Sequence, residues 1–271
     1  QKLAEEGAQV TILDNLSTGR KSNLESLHKL NINFLQGSIL DSDFLDDAFT
    51  NTEYVFHQAA FVSVPRSVVE PKICCETNIN GTLNVLESSK NAGVKKVVYA
   101  ASSSAYGETP TLPKVETMAP SPLSPYAISK LTGEYYCRVY NSVYNLSTTS
   151  LRYFNIYGPR QDPNSQYAAV IPNFITSVLN GEPPIVYGDG EQSRDFTFVL
   201  DAVQANLKAA LSSKADGKVI NIAAGRRTTI NDLAKILIKH VGAKDLDLTH
   251  QKSRKGDIRH SLADISRGKK L

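Results

Sequence analysis

From residue 93 to residue 104 the chain reads GVKKVVYAASSS. The run Lys96–Ala101 is short and mostly apolar, which predicts a buried strand. A long amphipathic pattern, Ile73–Ala92, precedes it, and Gly93 is placed to cap that helix. A helix, a glycine and a buried strand in this order predict one unit of a parallel sheet with helices packed against it.

The same alternation of strands and helices extends from residue 9 to about residue 155. Outside the central unit we predict four strands and one long helix: strands Gln9–Leu13, Asn33–Gln36, Tyr54–His57 and Thr148–Tyr153, and helix Pro125–Val143. The predicted fold class is therefore α/β, with a doubly wound, Rossmann-like parallel sheet and a smaller α/β substrate domain.

The alternation becomes irregular between residues 156 and 195, where Pro, Gly, Asn and Gln are frequent. In the second half of the chain we predict helices Val170–Leu179, Leu200–Leu211 and Ile230–Val241, and strands Lys218–Ile222 and Leu246–Thr249. We assign residues 1–155 and 196–223 to a nucleotide-binding domain. Residues 156–195 and 224–271 are assigned to the substrate domain.

Composition excludes several classes of protein. The chain has 271 residues, of which 41% are hydrophobic and 21% charged, as in ordinary globular proteins. A net charge of +3 is too small to indicate a nucleic-acid partner, and no apolar run approaches the roughly 18 residues of a membrane span. The three cysteines, Cys74, Cys75 and Cys137, form no CxxC pair or Cys/His cluster, so we expect neither disulfides nor a metal site. A cytoplasmic location is the corresponding expectation.

The residues Tyr126 and Lys130 lie four positions apart on the predicted helix Pro125–Val143, so a phenol and an ammonium share one face. A free phenol titrates near ~10 and is a poor base at neutral pH, but a nearby ammonium favours the phenolate. Ser102 follows the strand Lys96–Ala101 and can face this pair. The three side chains are predicted to remove a proton from an alcohol or sugar hydroxyl while a hydride leaves its carbon. A buried tyrosine beside a solvated lysine is the alternative.

The acid Asp14 follows the strand Gln9–Leu13. An acid at this position can accept hydrogen bonds from both ribose hydroxyls of an adenosine and repels a 2′-phosphate, which favours NAD over NADP. Ser38 and Ile39 follow the next strand, where an adenine edge would lie. Gln58, Ala59 and Ala60 end the strand Tyr54–His57, and small residues there let a cofactor pass close to the sheet, although packing explains them nearly as well.

Several polar residues of the second half suit a nucleotide diphosphate. Asn155 follows the strand that ends in Tyr153, Arg194 lies after the turn Gly188-Asp189-Gly190, and Arg254 and Asp257 frame Lys255-Gly256. Two guanidinium groups can clamp a diphosphate bidentately. Each arginine alone is better explained as a surface residue.

The chain opens on Gln1–Gly7, which resembles the last turn of a helix capped by Gly7. A dinucleotide-binding fold has one more strand and a glycine-rich phosphate turn before this helix, and neither is in the sequence. We expect a truncation here, and another where a helix starts at Arg267–Leu271. Such a fragment should bind NAD poorly and be inactive, because the missing turn would supply backbone N–H groups to the pyrophosphate.

Taken together, the motifs resemble those of the extended short-chain dehydrogenase/reductase superfamily and, within it, the NAD-dependent UDP-sugar 4-epimerases. The resemblance spans essentially the whole chain. It is carried by Asp14–Gly19, His57–Ala60, Ser63–Ser67, Thr77–Thr82, Ser102–Gly107, Ser124–Tyr126, Leu151–Asn155, Tyr157-Gly158, Ser193–Phe196 and Gly256–Ser261. Arg160–Asn164 and Tyr167–Pro172 resemble the branch acting on UDP-N-acetylglucosamine and UDP-N-acetylgalactosamine.

The resemblance implies an enzyme of nucleotide-sugar metabolism, with a defined mechanism and set of site residues. Tyr126 takes the proton of the sugar 4-hydroxyl while C4 gives a hydride to NAD, Lys130 lowers the pKa of Tyr126, and Ser102, assisted by Ser103, bonds the 4-oxygen. The implied cofactor-binding residues are Asp14, Asn15, Ser17, Thr18, Gly19, Ser38, Ile39, Gln58, Ala59, Ala60, Thr77, Tyr126, Lys130 and Tyr153. The implied substrate-binding residues are Ser102, Ser103, Asn155, Gln161, Ala169, Val170, Arg194, Arg254, Asp257 and Ser261.

The sequence also departs from the family pattern. Ser38 replaces an aspartate beside adenine, and Val62 replaces a glycine of N-acetylhexosamine epimerases, which narrows the sugar pocket. Ser261 instead stands where a bulky tyrosine in related enzymes excludes the N-acetyl group. Epimerases of UDP-glucose or UDP-glucuronate therefore remain alternatives.

Three other functions are weighed against epimerisation. Dehydratases of this superfamily carry Asp-Glu directly after position 102, and decarboxylases carry a glutamate there, whereas this chain has Ser103 and Ser104. A non-catalytic nucleotide-sensing protein on the same fold is disfavoured by the complete set of Ser102, Tyr126 and Lys130.

A homodimer is the expected assembly. The helix Pro125–Val143 has apolar residues on more than one face, so it packs against the sheet and against something else. Pairing with Ile73–Ala92 of a second copy is favoured over packing against the substrate domain.

Overall fold

A computed structural model of the protein describes residues 1–25, 27–162, 170–243, 245–253 and 258–271. The described helices are α1 (Lys2–Glu5), α2 (Ser22–Glu25), α3 (Ser42–Ala48), α4 (Val64–Val69), α5 (Pro71–Cys75), α6 (Gly81–Asn91), α7 (Pro125–Val143), α8 (Val170–Leu179), α9 (Val199–Leu211), α10 (Ile230–Val241) and α11 (Ser266–Lys270). In this described part, no helix combines the length and the apolar character needed to cross a membrane.

The strands alternate with these helices along the chain. They are β1 (Val10–Asp14), β2 (Ile32–Gln36), β3 (Tyr54–His57), β4 (Lys96–Ser102), β5 (Thr148–Tyr153), β6 (Ile156–Tyr157), β7 (Ile185–Tyr187), β8 (Ser193–Arg194), β9 (Thr197–Phe198), β10 (Lys218–Ile222), β11 (Thr228–Thr229) and β12 (Thr249–Gln251). The predicted α/β fold class is confirmed.

The chain divides into two compact units. The first unit comprises Gln1–Ala101, Ser124–Leu151 and Asn206–Val219. The second unit comprises Ser102–Leu123, Arg152–Ala205 and Ile220–Leu271.

The parallel strands that sequence analysis predicted in the first half of the chain form two sheets. β1 and β2 form a parallel pair in which Asp14 lies opposite Gln36. A second sheet has the order β10-β5-β4-β3, with β3 parallel to β4. Every residue of β4 from Lys96 to Ala101 is buried, because helices cover both faces of a strand in a doubly wound sheet.

The core of the first unit lies on β4 and on the helices next to it. Val97 and Tyr99 of β4 pack with Leu86 of α6 and with Cys137 and Tyr140 of α7. The buried residues of α7 recur from Ala127 to Tyr140. One face of this helix therefore packs against the core over most of its length.

The predicted helix Ile73–Ala92 is observed as one continuous helical run over residues 71–91, but its α-helical winding is interrupted. A π turn at Glu76–Asn80 lies between α5 and α6. The buried side chain of Asn78 explains the interruption, since it donates to the Phe61 carbonyl (3.0 Å) and to Ser129 Oγ (2.9 Å) and accepts from the Phe61 N–H (2.7 Å). A π turn re-aims a side chain within a helix in this way.

The second unit is built from short strand pairs and helices. β6 lies parallel to β9, β7 parallel to β12, and β8 antiparallel to β11. α8 and α10 pack over these pairs through a cluster of buried apolar residues: Ile171, Phe174, Val186, Ile230, Leu233 and Ala234.

The predicted strand Leu246–Thr249 is shifted along the chain. The backbone N–H of Leu246 bonds to the Ala243 carbonyl (3.1 Å), so the chain is still turning at this position. The observed strand, β12, begins at Thr249 and pairs with Ile185–Tyr187 of β7.

Candidate active site

The start of α7 is fixed by hydrogen bonds from two directions. Ser124 is the N-cap and accepts from the Ala127 N–H (3.1 Å), and Pro125 occupies the first turn, where its missing N–H costs nothing. The Tyr126 N–H donates to Ser67 Oγ of α4 (3.2 Å). Ser67, which sequence analysis did not single out beyond a family motif, thus holds the backbone of Tyr126 in place.

Lys130 lies one turn further along α7 and is buried. Its Nζ donates to the carbonyl oxygen of Ala100 (2.8 Å) and lies 5.1 Å from the centroid of the Tyr99 ring. Burial lowers the pKa of Lys130 to about 8, with smaller opposing effects from Cys74 and Cys137. The ammonium is therefore still largely charged near neutral pH and can act on a neighbouring phenol.

Ser102 ends β4 and belongs to the second unit. Its Oγ accepts hydrogen bonds from the backbone N–H of Ser104 (3.2 Å) and from Ser104 Oγ (2.9 Å). Ser103 begins the short 3₁₀ turn Ser103–Tyr106. These bonds fix the Ser102 oxygen at the carboxyl end of the central strand.

The predicted adenosine-binding residues lie at the carboxyl ends of paired strands. Asp14 ends β1 and its Oδ1 accepts from the Leu16 N–H (2.7 Å), while Asn15 Oδ1 accepts from Ser17 (3.0 Å). A Cβ at Gly19 would lie 2.8 Å from each carboxylate oxygen of Asp14. Only glycine therefore lets residues 15–19 curl over the carboxylate and leave room beside it.

Other predicted cofactor-binding residues follow β2 and β3. Ser38 Oγ accepts from the Leu40 N–H (3.2 Å), and Ile39 is buried. Gln58 follows β3 and donates from Nε2 to Asn206 Oδ1 (3.2 Å). Ala59 and Ala60 come next in the chain, Thr77 lies in the π turn, and Tyr153 is the last residue of β5.

The second unit brings three predicted substrate-binding residues to the segment Ser193–Asp195. Asn155 donates from Nδ2 to the Asp195 carbonyl (3.0 Å), and the Ser261 N–H donates to the Ser193 carbonyl (3.0 Å). Arg194 lies between these two anchor points on β8. The remaining predictions fall elsewhere: Gln161 lies in a turn after β6, Val170 begins α8, and Ala169, Arg254 and Asp257 lie outside the described residues.

Asp195 was quoted in a motif but was given no role by sequence analysis. Its buried carboxylate accepts from the backbone N–H groups of Ala224 (2.9 Å), Gly225 (3.2 Å) and Ala263 (3.2 Å). Burial raises the pKa of Asp195 and the backbone N–H groups oppose that shift. The sequence feature that could have indicated a buried carboxylate is the position of this acid directly before the mostly apolar run Phe196–Leu200.

Replacing Asp195 by alanine is expected to destabilise the second unit. The change leaves buried N–H groups unpaired, which costs on the order of 3 kcal/mol or more. Urea titration gives the free energy of unfolding that measures the effect. Asp201→Ala, at an exposed position on α9, is the matched control and should leave this free energy unchanged. An Asp195→Ala protein with wild-type stability would contradict this role.

Because His57 is buried, we expect the stability of the folded chain to depend on pH. It is buried at the end of β3, Nε2 contacts Thr82 Oγ1 at 2.9 Å, and burial lowers its pKa from 6.5 to about 3. Between these two values the unfolded chain binds a proton that the folded chain does not. His57 therefore contributes stability above about pH 6.5 that is lost as the pH falls toward 3, at about 1.4 kcal/mol per pH unit.

In His57→Gln, the free energy of unfolding should fall less steeply as the pH is lowered. The slope should be smaller by about 1.4 kcal/mol per pH unit, because the proton that His57 takes up on unfolding is no longer involved. Urea unfolding at several pH values between the two pKa values gives the slope. His240→Gln, at an exposed position on α10, should retain the wild-type slope. Equal slopes in wild type and His57→Gln would show that another group controls the acid transition.

The described residues contain no group of three or more histidine, cysteine, aspartate or glutamate side chains arranged to hold a metal ion. All three cysteines are free thiols, and Cys75 is exposed.

Comparison with known proteins relates this geometry to characterised sequences. The sequence profile described as the NAD dependent epimerase/dehydratase family matches residues 1–223. A putative UDP-glucose 4-epimerase of Methanocaldococcus jannaschii is 39% identical over 273 residues, which cover 100% of this chain and 86% of that protein.

Two solved structures share the fold over almost the whole chain. The UDP-N-acetylglucosamine 4-epimerase from Methanobrevibacter ruminantium M1, in complex with UDP-N-acetylmuramic acid, is 45% identical with a TM-score of 0.93, covering 98% of this chain and 84% of that one. The UDP-glucose 4-epimerase from Thermotoga maritima, with UDP-glucose, is 42% identical with a TM-score of 0.93, covering 99% and 86%. The predicted Rossmann-like fold is confirmed by these similarities.

Proposed function

The chain belongs to the NAD dependent epimerase/dehydratase family as a UDP-sugar 4-epimerase, and we propose that it interconverts UDP-N-acetylglucosamine and UDP-N-acetylgalactosamine. The observation that carries the chemistry is the pair on α7, in which a buried lysine with a lowered pKa lies one turn from Tyr126. The observation that favours the acetylated sugars is Ser261, a small residue hydrogen-bonded to the Ser193–Asp195 segment.

The proposed reaction begins with proton transfer to Tyr126. Lys130 stabilises the phenolate, so that Tyr126 takes the proton of the sugar 4-hydroxyl near neutral pH. Ser102 donates its hydroxyl hydrogen to the 4-oxygen and holds it. When bound, NAD would supply the acceptor for the hydride of C4 and the source from which the hydride is given back. The 4-keto sugar turns over between the two halves, and Tyr126 returns the proton, so that no net oxidation occurs.

The described residues fit NAD at two places. The Asp14 carboxylate, with the glycine turn folded over it, offers an acceptor for ribose hydroxyls at the end of β1. Among the hydrogen bonds described above, Lys130 Nζ uses one N–H group, which donates to the Ala100 carbonyl. Its other N–H groups can donate to the nicotinamide ribose. We propose the remaining cofactor-binding residues named above for the same cofactor.

The segment Ser193–Asp195 is proposed to hold the nucleotide diphosphate. Arg194 supplies the charge, and Asn155 and Ser261 are fixed on either side of it by hydrogen bonds to the same backbone. Arg254 and Asp257 are proposed for the same site from the sequence motif. In this arrangement one short segment positions both the diphosphate and the sugar.

The assay that tests the function is incubation of a protein carrying the glycine-rich turn expected above with each UDP-sugar and NAD, followed by chromatographic separation of products. We expect UDP-N-acetylgalactosamine from UDP-N-acetylglucosamine, with no dehydrated or decarboxylated product. A 4-keto-6-deoxy product would instead indicate a dehydratase, and binding without turnover would indicate a nucleotide-sensing protein.

We also propose a homodimer formed through α7. Four exposed apolar side chains, Ile128, Tyr135, Val139 and Val143, recur along one side of this helix, and Ile73 of α5 is exposed as well. The opposite side of α7 is buried in the core of the first unit. An exposed apolar stripe of this length supports an interface with a second copy.

In Val139→Glu, a charge enters the centre of the proposed interface and should convert the dimer to a monomer. Val139 is 44% exposed. Ile236 of α10, which is 48% exposed, provides a matched control, and Ile236→Glu should leave the assembly unchanged. Light scattering coupled to size-exclusion chromatography gives the mass of each. A monomeric wild type would contradict the proposed assembly.

A further inference from the structure

Tyr99 packs against α7 and contacts Lys130 in two ways. The centroid of its ring is 5.1 Å from Lys130 Nζ, and its hydroxyl donates to the Lys130 carbonyl oxygen (3.3 Å). The ring is almost completely buried, at 1% exposure. A Cβ on Gly133, one turn after Lys130, would collide with the Tyr99 hydroxyl, so α7 approaches the tyrosine as closely as a helix can.

The Tyr99 hydroxyl is the third member of a buried series of hydrogen bonds. His57 Nε2 contacts Thr82 Oγ1 at 2.9 Å, and the Thr82 hydroxyl bonds to the Tyr99 hydroxyl. Since Tyr99 donates to the Lys130 carbonyl, Thr82 must donate to Tyr99, and His57 must donate from Nε2 to Thr82. The series therefore has one direction and ends on the backbone of Lys130.

Few other contacts of the described residues stabilise the charge of Lys130. Its Nζ bonds to the Ala100 carbonyl, and within the described part of the chain no carboxylate shifts its pKa. The described titratable groups that interact with it are Cys74 of α5, Cys137 of α7 and His57 of β3, while Tyr126, Cys137 and Glu134 of α7 act on Tyr99. The electron-rich face of Tyr99 is thus a main stabilising contact of the buried ammonium.

We infer that Tyr99 is a positioning residue of the epimerase, whose ring keeps Lys130 charged and whose hydroxyl, oriented by Thr82 and His57, holds the backbone of Lys130. Tyr99 acts through Lys130 and touches neither substrate nor cofactor. The inference rests on the proposed function, because it requires that the charge of Lys130 controls the rate.

Two isosteric variants separate the ring from the hydroxyl. Tyr99→Phe keeps the ring face and removes the hydroxyl, so kcat should fall roughly fivefold with an unchanged KM for the UDP-sugar. Tyr99→trifluorophenylalanine keeps the shape of Phe but withdraws electrons from the ring face. The alkaline limb of its kcat/KM profile should lie roughly one pH unit below that of Tyr99→Phe, because Lys130 loses its proton more easily.

Tyr106 provides the matched control, because the Arg152 guanidinium lies 4.5 Å from the centroid of its buried ring in the second unit. The same pair of substitutions at Tyr106 should leave the alkaline limb in place. Coincident limbs for the two Tyr99 variants would overturn the inference.

Lys130→Met in the same assay tests the proposed function separately. If it retains full activity, the proposed chemistry itself is wrong. If it is inactive while the two Tyr99 variants coincide, only the role of Tyr99 is wrong.

Discussion

In a protein that carries the glycine-rich turn expected above, Tyr126→Phe should reduce kcat for epimerisation by about 10²–10⁴-fold, because the general acid–base group is removed while the ring remains. The hydrogen bond from the backbone N–H of residue 126 to Ser67 does not involve the phenol, so the start of α7 should stay in place. We therefore expect an unchanged melting temperature and unchanged NAD content. Steady-state kinetics, thermal unfolding and cofactor extraction measure the three quantities.

The control for this variant is Tyr144→Phe, which removes the hydroxyl of an exposed tyrosine directly after α7. It should have wild-type kinetics. If Tyr126→Phe turns over at nearly the wild-type rate, the assignment of the base fails. A variant that has lost both activity and its bound NAD would indicate a structural role instead.

Ser261→Tyr is expected to reduce kcat/KM for the two acetylated sugars by about 10- to 100-fold while sparing UDP-glucose and UDP-galactose. The acetyl group at C2 needs a cavity, and filling a cavity with a large ring costs about 1–3 kcal/mol. The Ser261 N–H bonds to the Ser193 carbonyl, so the backbone that carries the new side chain should keep its place.

Ser261→Ala removes the hydroxyl without adding volume and should keep the wild-type preference. The measurement is kcat/KM for all four UDP-sugars in the three proteins. Equal values for the two sugar pairs in wild type, or an unaffected acetylated pair in Ser261→Tyr, would remove the basis for the proposed substrate. Val62, which is exposed beside α4, is the residue to change next in that case.

Some elements could be predicted to the residue because their determinants are local. For α7, Ser124 is the cap and Pro125 occupies the first turn, so the start of the helix follows from the sequence. The apolar run of β4 bounded by Gly93 and the serines is similarly self-contained. Tyr126 and Lys130 lie on α7 as the spacing predicted.

Other features depend on contacts between distant parts of the chain. The π turn between α5 and α6 is explained by the bonds of Asn78 to Phe61 and Ser129, which no local pattern encodes. Asp195 likewise acquires its role from Ala224 and Ala263, which come from two other segments. Tyr99 appears in the sequence as one apolar residue of a strand, and only its packing against α7 gives it a second role.

The π turn at Glu76–Asn80 determines how this helical region responds to a change of length by one residue. A π turn contains one residue more than the α-helical turn it replaces. Deleting one residue there would restore regular winding and leave α5 in nearly the same orientation relative to α6, because the wider turn already absorbs the extra residue. In an alignment, a one-residue gap within 76–80 would therefore mark a chain that keeps the surface of α5 but lacks the position from which Asn78 reaches Phe61 and Ser129.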